Sequence, residues 1–436
     1  MYKRQLSKAS RELPTGGTVG NSLDAFDSSV NISGGTVGAG FGAHDGSTVI
    51  FSGGTLGANS EANDSIVNIS GGTVGNDFGS FFDANDGSIV NISGGTVGNS
   101  FDANEGSIVN ISGGTVGSFF DAFNGSTVNL SGGTVGRDFD ALNGSTVNIS
   151  GGEFLLNGNA VNNLSSLSDG DVLTGTLEDG SAFIFSTDAL DTLSNVNLIE
   201  TSTPTIDTTP QTINTVSALR SISAGQTLTV QTGGELGENF TAVDATFNVQ
   251  DGSVGTFAEV ARSEVNISGG TVGERFITFD STVNISAGDI GDDFEAFNSS
   301  VEISGGTVGD LFDANDGSTI NLSGGSIGDR FTVRSSTLNV FGTEFFLNGD
   351  LLDDLALDQS FTIFDRGPGL ILSGLLADGT PFDFELNDNP FNFDNRFLDD
   401  STVTVTLVAA VPEPGCGLTL ATMSILLLSR RRRALQ

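Results

Sequence analysis

Tryptophan is absent from these 436 residues, and cysteine, histidine and tyrosine occur once each. The lone cysteine, Cys416, excludes an intramolecular disulfide, so cross-linking says nothing for or against export. The lone histidine, His44, has no partners placed for a metal centre or a Ser-His-Asp set, and its neighbours align with turn residues of other repeats. It reads as a surface substitution. Basic residues are scarce: 16 Lys and Arg against 54 Asp and Glu leave a net charge of −38, and the only lysines are Lys3 and Lys8. Such a surface repels phosphate backbones and excludes a nucleic-acid partner, while it attracts divalent cations. Eight prolines among 61 glycines rule out both collagen and a proline-rich tract. There is no Gly-Lys-Ser/Thr phosphate loop, and no window carries apolar residues at helical spacing.

What is present is a phrase. Val-Asn-Ile-Ser-Gly-Gly-Thr-Val-Gly stands at 30–38, 67–75, 90–98, 109–117 and 265–273, with near copies at 128–136 and 301–309. A fixed repeat of this length names a stacked architecture. Gly16, Gly34, Gly53, Gly71, Gly94, Gly113, Gly132 and Gly151 follow one another at intervals of 18, 19, 18, 23, 19, 19 and 19. A second array runs through Gly233, Asp251, Gly269, Ala287, Gly305, Gly324 and Phe341 at 17 to 19. Within a unit, Val109 and Ile111 alternate with polar residues, as do Phe101 and Ala103, and glycine punctuates the stretches as turns. Each unit therefore reads as two or three short strands joined by tight turns. One unit alone buries too little to offset its chain entropy, so the units must stack.

The expected fold is all-β: a parallel β-solenoid with 18–19 residues per coil, right-handed because clean hexads fail. Phenylalanine recurs with the coil at Phe41, Phe78 or Phe82, Phe101, Phe120 and Phe139, then at Phe240, Phe257, Phe276, Phe294, Phe312 and Phe331. This predicts an internal aromatic ladder; the rival is an exposed sugar-stacking surface. The 23-residue interval predicts a protruding loop around 78–81.

The chain is a duplication. Glu-Phe-Leu-Leu-Asn-Gly at 153–158 matches Glu-Phe-Phe-Leu-Asn-Gly at 344–349, and 172–185 parallels 371–384 with an Asp-Gly hairpin turn in each. The expected order is an N-terminus without structure or truncated (1–13), solenoid 1 (14–152), β cap 1 (153–203), linker (204–220), solenoid 2 (221–343), β cap 2 (344–410) and a tail (411–436). Caps are needed because a bare solenoid end is an open strand edge.

The tail reads Pro412-Glu413-Pro414, then an apolar stretch at 418–428, then Arg430, Arg431, Arg432 and Arg433. In order and position it resembles the PEP-CTERM sorting signal of exported bacterial proteins. The resemblance covers the last 26 residues. It implies recognition by an exosortase-type sorting enzyme, a short C-terminal transmembrane helix acting as a transient anchor, and a cytoplasmic arginine cluster. The repeats and Asp-Gly-Ser/Thr caps are similar to those of surface-type members of that family in planctomycete-like bacteria. Four arginines agree with that topology, and the apolar run is short for a permanent span. One departure stands out: residues 1–13 have no apolar leader core, as in a misassigned start or a truncated chain.

No catalytic or cofactor-binding residues emerge, and no cofactor is expected. The scattered arginines (Arg137, Arg262, Arg275, Arg330, Arg334) do not mark one place along the stack. Asp83, Asp86, Asp102, Asp121, Asp140, Asp313 and Asp316 recur near turns, where oxygen ligands suit Ca²⁺, yet the Ca²⁺ nonapeptide pattern is missing. The repeated Asn-Ile-Ser reads as an outward asparagine ladder rather than a glycosylation signal. The expectation is a non-enzymatic, exported cell-surface or matrix protein with structural or adhesive work. Extracellular polysaccharide or other surface proteins are the partners it would meet. The alternatives are a calcium-stabilised binding module and a polysaccharide-active β-helix enzyme.

Overall fold

In the computed structural model successive coils stack in parallel, and in the coils that carry the repeated phrase two glycines let neighbouring coils touch. The structure describes residues 4–7, 10–13, 16–75, 82–164, 167–187, 193, 195–389, 394–398 and 400–410, with the side chains of 4–7 and 10–13 left aside. The expected loop at 78–81 and the whole sorting segment, with Pro412, Glu413, Pro414 and Arg430 to Arg433, lie outside them. So does the expected transmembrane helix. The chain is an all-β parallel β-solenoid of about 16 turns, with no helix among the described residues.

By backbone proximity there are two compact units, Met1–Phe247 with Val254–Ser263, and Asn248–Ser253 with Glu264–Gln436. In the first, long strands such as Ile89–Val97, Ile108–Val116 and Thr127–Val135 pair in parallel one coil apart, Val90 over Val109 over Val128 and Ile92 over Ile111 over Leu130. Short strands Phe82–Asn85, Phe101–Ala103, Phe120–Ala122 and Phe139–Ala141 form a second parallel sheet. The core lies between the two sheets. Gln211–Ile213 pairs with Thr227–Gln231 and so opens the second stack within this unit. In the second unit, Glu264–Val272, Thr282–Ile290, Ser300–Val308 and Thr319–Ile327 repeat the long strand.

The phrase itself departs from the reading as strand, turn and strand. It forms one nine-residue strand, and its Gly-Gly is a bulge where the pairing register shifts and then resumes at Thr-Val. The second glycine carries the constraint. Gly114 has φ +84, and a Cβ there would sit 2.8 Å from the Gly94 carbonyl carbon and 2.9 Å from the Gly95 oxygen. Only glycine offers both the left-handed conformation and the close approach. The first glycine is replaced by Ala287 in one coil, whereas the next position, Gly288, keeps φ +90.

The aromatic ladder is internal. Phe82, Phe101, Phe120 and Phe139 are buried with ring centroids 4.8 to 5.3 Å apart, and Phe276, Phe294, Phe312 and Phe331 stack at 4.6 to 5.1 Å. Phe82 takes the rung that spacing left open between 78 and 82. Phe257 is a correction. Thr241 registers with Glu259, so Ala258 holds the rung and Phe257 sits one residue outside it in the left-handed region at φ +61. The lost volume is supplied from the facing strand by Phe247, buried 4.9 Å from Phe240. Ser60 likewise occupies a rung, opposite the buried Phe51 of the same coil.

Both caps use one construction. Thr146–Leu156 and Thr337–Leu347 run on past the last full coil and pair antiparallel with Val172–Leu177 and Ile371–Leu376. Each hairpin then closes through its Asp-Gly turn. Asp179 accepts a hydrogen bond from Gly133 N–H at 2.7 Å, and Asp378 accepts one from Gly325 N–H at 3.0 Å. The turn thus fastens each hairpin to the Gly-Gly bulge of the stack below it.

The two glycines of a bulge should respond differently to alanine. Gly114→Ala combines strain with overlap and should lose at least about 2 kcal/mol in denaturant unfolding. Gly113→Ala, at the position where Ala287 occurs naturally, should lose less than half as much. Equal losses would overturn this account of the bulge.

Candidate functional site

Fixed register turns each outward position into a column of like side chains. Three columns are candidates for function, and all three are clearest in the first unit.

The first is asparagine. Each Nδ2 donates to the Oδ1 one coil before it: Asn91 to Asn68, Asn110 to Asn91, Asn129 to Asn110 and Asn148 to Asn129, all at 2.8 Å. Asn197 extends the column onto the cap at 3.2 Å. Ile50 breaks it between Asn31 and Asn68, and the Asn31 Oδ1 is left without a partner. This is the expected ladder, and the amides that would carry glycans are engaged in it.

The second column is threonine, with Thr96, Thr115 and Thr134 in register beside the bulges. The Thr134 Oγ1 donates to Thr115 Oγ1 at 3.4 Å. The hairpin tip at Asp179–Ser181, with Ala218–Ser221 and Gln226, walls this row into a groove of about 600 Å³.

The third is acidic. The short strands alternate, so Phe101 and Ala103 point inward and Asp102 points outward. Register then places Glu61, Asp83, Asp102, Asp121 and Asp140 one above another, about 4.8 Å apart as in any sheet. Each is half-buried between its neighbours. Burial, then repulsion from Asp83 and Asp121, pushes the Asp102 carboxyl up to about 7. Burial, then Asp140 and Asp138, pushes Asp121 up to about 6. Asp83 is raised by burial and by Glu61. These carboxylates stand in strands, not at turns; of the expected set, Asp86 and Asp316 are the turn residues, at φ +43 and +48. Among the described residues no three His, Cys, Asp or Glu side chains converge tightly enough to hold a metal ion.

His44 is more than a surface substitution. Gly42 occupies the rung between Asp24 and Glu61, and the His44 ring covers it. The ring stacks on Phe26 at 4.7 Å, its Nδ1 hydrogen-bonds the Asn63 amide at 3.0 Å, and its Nε2 lies 3.9 Å from Asp24 and 3.7 Å from Glu61. The sequence signal was present: a glycine in the acidic column two residues before the only histidine. Arg137, Arg262, Arg275, Arg330 and Arg334 remain spread along the stack. Arg262 clamps a cap, donating to Asp244 at 3.0 and 2.7 Å and to Thr174 Oγ1 at 2.9 Å.

No protein-family model matches the chain, no curated protein matches it, and no solved structure matches it. Among the described residues no helix is long and apolar enough to cross a membrane.

The acidic column makes stability depend on pH. A carboxyl whose folded pKa is raised contributes stability that is complete below its unfolded value near 3.8 and is lost as pH rises through about 7. Asp102→Asn should therefore melt above wild type at pH 8, by on the order of 1–2 °C because the group is half-exposed and screened. The gap should close at pH 4 and shrink in concentrated salt, where the Debye length falls to about 3 Å. A gap independent of both would overturn the repulsion account.

Proposed function

We propose that this chain is an exported cell-surface or extracellular-matrix protein with structural and adhesive work, sorted by its PEP-CTERM-like tail. The observation that supports this most directly is the set of register-locked columns. Asparagine amides and carboxylates repeat at one-coil spacing along parallel sheets. Such columns offer many weak, equivalent contacts to a polymer, which is how multivalent adhesion gains strength without a single strong site. The order Pro412-Glu413-Pro414, apolar run and Arg430 to Arg433 supports the route.

Antibody labelling of intact cells should detect the chain, and mass spectrometry of the surface form should find its C-terminus near Pro414. Replacing Pro412, Glu413 and Pro414 with alanine should leave the apolar tail attached. Labelling only after lysis would overturn the proposal, as would cleavage of an acidic polysaccharide by the purified chain.

The carboxylate column favours one second reading, a calcium-stabilised module. Like charges in register repel, and a divalent cation would offset that repulsion. On this reading a chelator lowers the melting temperature of purified protein in dilute buffer and Ca²⁺ restores it where Na⁺ of equal ionic strength does not. An unchanged melting curve would remove calcium from consideration.

A further inference from the structure

Beside the first cap lies a cavity of about 350 Å³ between the hairpin and the first coils of the second stack, wholly within the first unit. Glu153, Thr176, Ser223, Asp244 and Arg262 line it, with Leu155 and Val243 as apolar patches. Its volume is at the low end for small-molecule sites.

Two polar atoms here have no protein partner. Ser223 is 3 % exposed, and its Oγ makes no hydrogen bond. The Arg262 Nη1 is buried and also makes none, although Nε and Nη2 of the same guanidinium are engaged by Asp244 and Thr174. Buried polar atoms without partners are rare in folded proteins, and two on residues that line one cavity point to a ligand that satisfies both. Arg262 is itself out of place. It occupies a coil corner at φ +48, where the equivalent corners carry Asp244, Asp280 and Asn298, residues that tolerate this conformation better.

Charge selects the ligand class. Asp244 already neutralises Arg262, and Glu153 adds a further negative charge, so a free anion gains nothing here. What remains to be satisfied is a donor at Nη1, a hydroxyl at Ser223 that can donate or accept, and an acceptor at Glu153. A group that both donates and accepts at several points, with a C–H face for Leu155 and Val243, answers all of these. We propose that this cavity binds one neutral sugar residue, the local anchor for a polysaccharide lying along the stack. The inference rests on the adhesive reading above and gives it a specific site.

The test is titration of the full chain with glucose, galactose, mannose and N-acetylglucosamine, and with galacturonate and sulfate as anionic probes. At least one neutral sugar should saturate a single site. Ser223→Ala should weaken it about fivefold or more, and Arg262→Lys, which lacks Nη1, about tenfold. Ser223→Ala should melt no lower than wild type, because it removes a buried hydroxyl without a partner; a drop in melting temperature would show that hydroxyl to be structurally engaged and count against the site. The proposal falls if no neutral sugar saturates, if both variants bind as wild type does, or if galacturonate or sulfate binds more tightly. Retention of an intact polysaccharide by wild type and both variants alike would overturn the cavity while leaving the adhesive reading in place.

Discussion

The close approach of one Gly-Gly bulge to the next governs the rest of the molecule. At Gly114 a single methyl group would overlap the backbone of the coil beneath. That contact allows the long strand to bend without breaking its ladder, so pairing resumes at Thr-Val in the same register. Because register is recovered after each bulge, a side chain on either side of it is laid directly over its counterpart one coil away. Aromatic stacking, the amide ladder and the acidic column are all consequences of that alignment, and each inherits its geometry from the backbone.

Like-on-like stacking has opposite effects on different residues. A primary amide has both a donor and an acceptor, so an asparagine column satisfies itself at 2.8 Å per rung. Phenylalanine gains ring contact at every step. A carboxylate has only acceptors and can only repel its neighbours. The Asp102 carboxyl, pushed up to about 7 by burial first and by repulsion from Asp83 and Asp121 second, carries part of that conflict. The chain relieves it at Gly42, where the column is interrupted and the His44 ring stands between Asp24 and Glu61. The tolerance of an unfavourable column inside an otherwise self-satisfying scaffold is the reason to look for what it contacts outside.

Period and composition were enough to recognise a parallel stack, because any residue set repeating every 18 or 19 positions with glycine pairs has few other ways to bury its apolar face. The aromatic ladder, the asparagine column and the two Asp-Gly hairpins followed from the same counting. Phe257 was misplaced because residue type was followed instead of the count: Phe240 and Ala258 are a regular 18 residues apart, and Phe247 supplies the volume that Ala258 lacks. The bulge was misread as a turn because Gly-Gly serves both purposes. The sugar-sized cavity was not legible at all. Thr174 and Arg262 are 88 residues apart, and nothing in a repeat specifies where a cap will meet a later coil.

The two hairpins show how that later coil has shaped the sequence. They pair in the same register and attach through the same aspartate-to-glycine hydrogen bond. In the first, both faces are buried, and the residues facing away from its own stack are Val172, Thr174, Thr176, Ala182, Ile184 and Ser186, none of them charged. Ala182 N–H donates to Ser221 of the following stack at 3.1 Å. In the second, the equivalent face carries Asp383 and Glu385, and Ile371 and Leu375 are exposed. A duplicated element has thus kept its inner face and diverged on its outer one. Charge cannot be buried there without a partner, so the neutral face is the one that accepts further coils. The cavity beside Arg262 lies where that neutral face meets such coils.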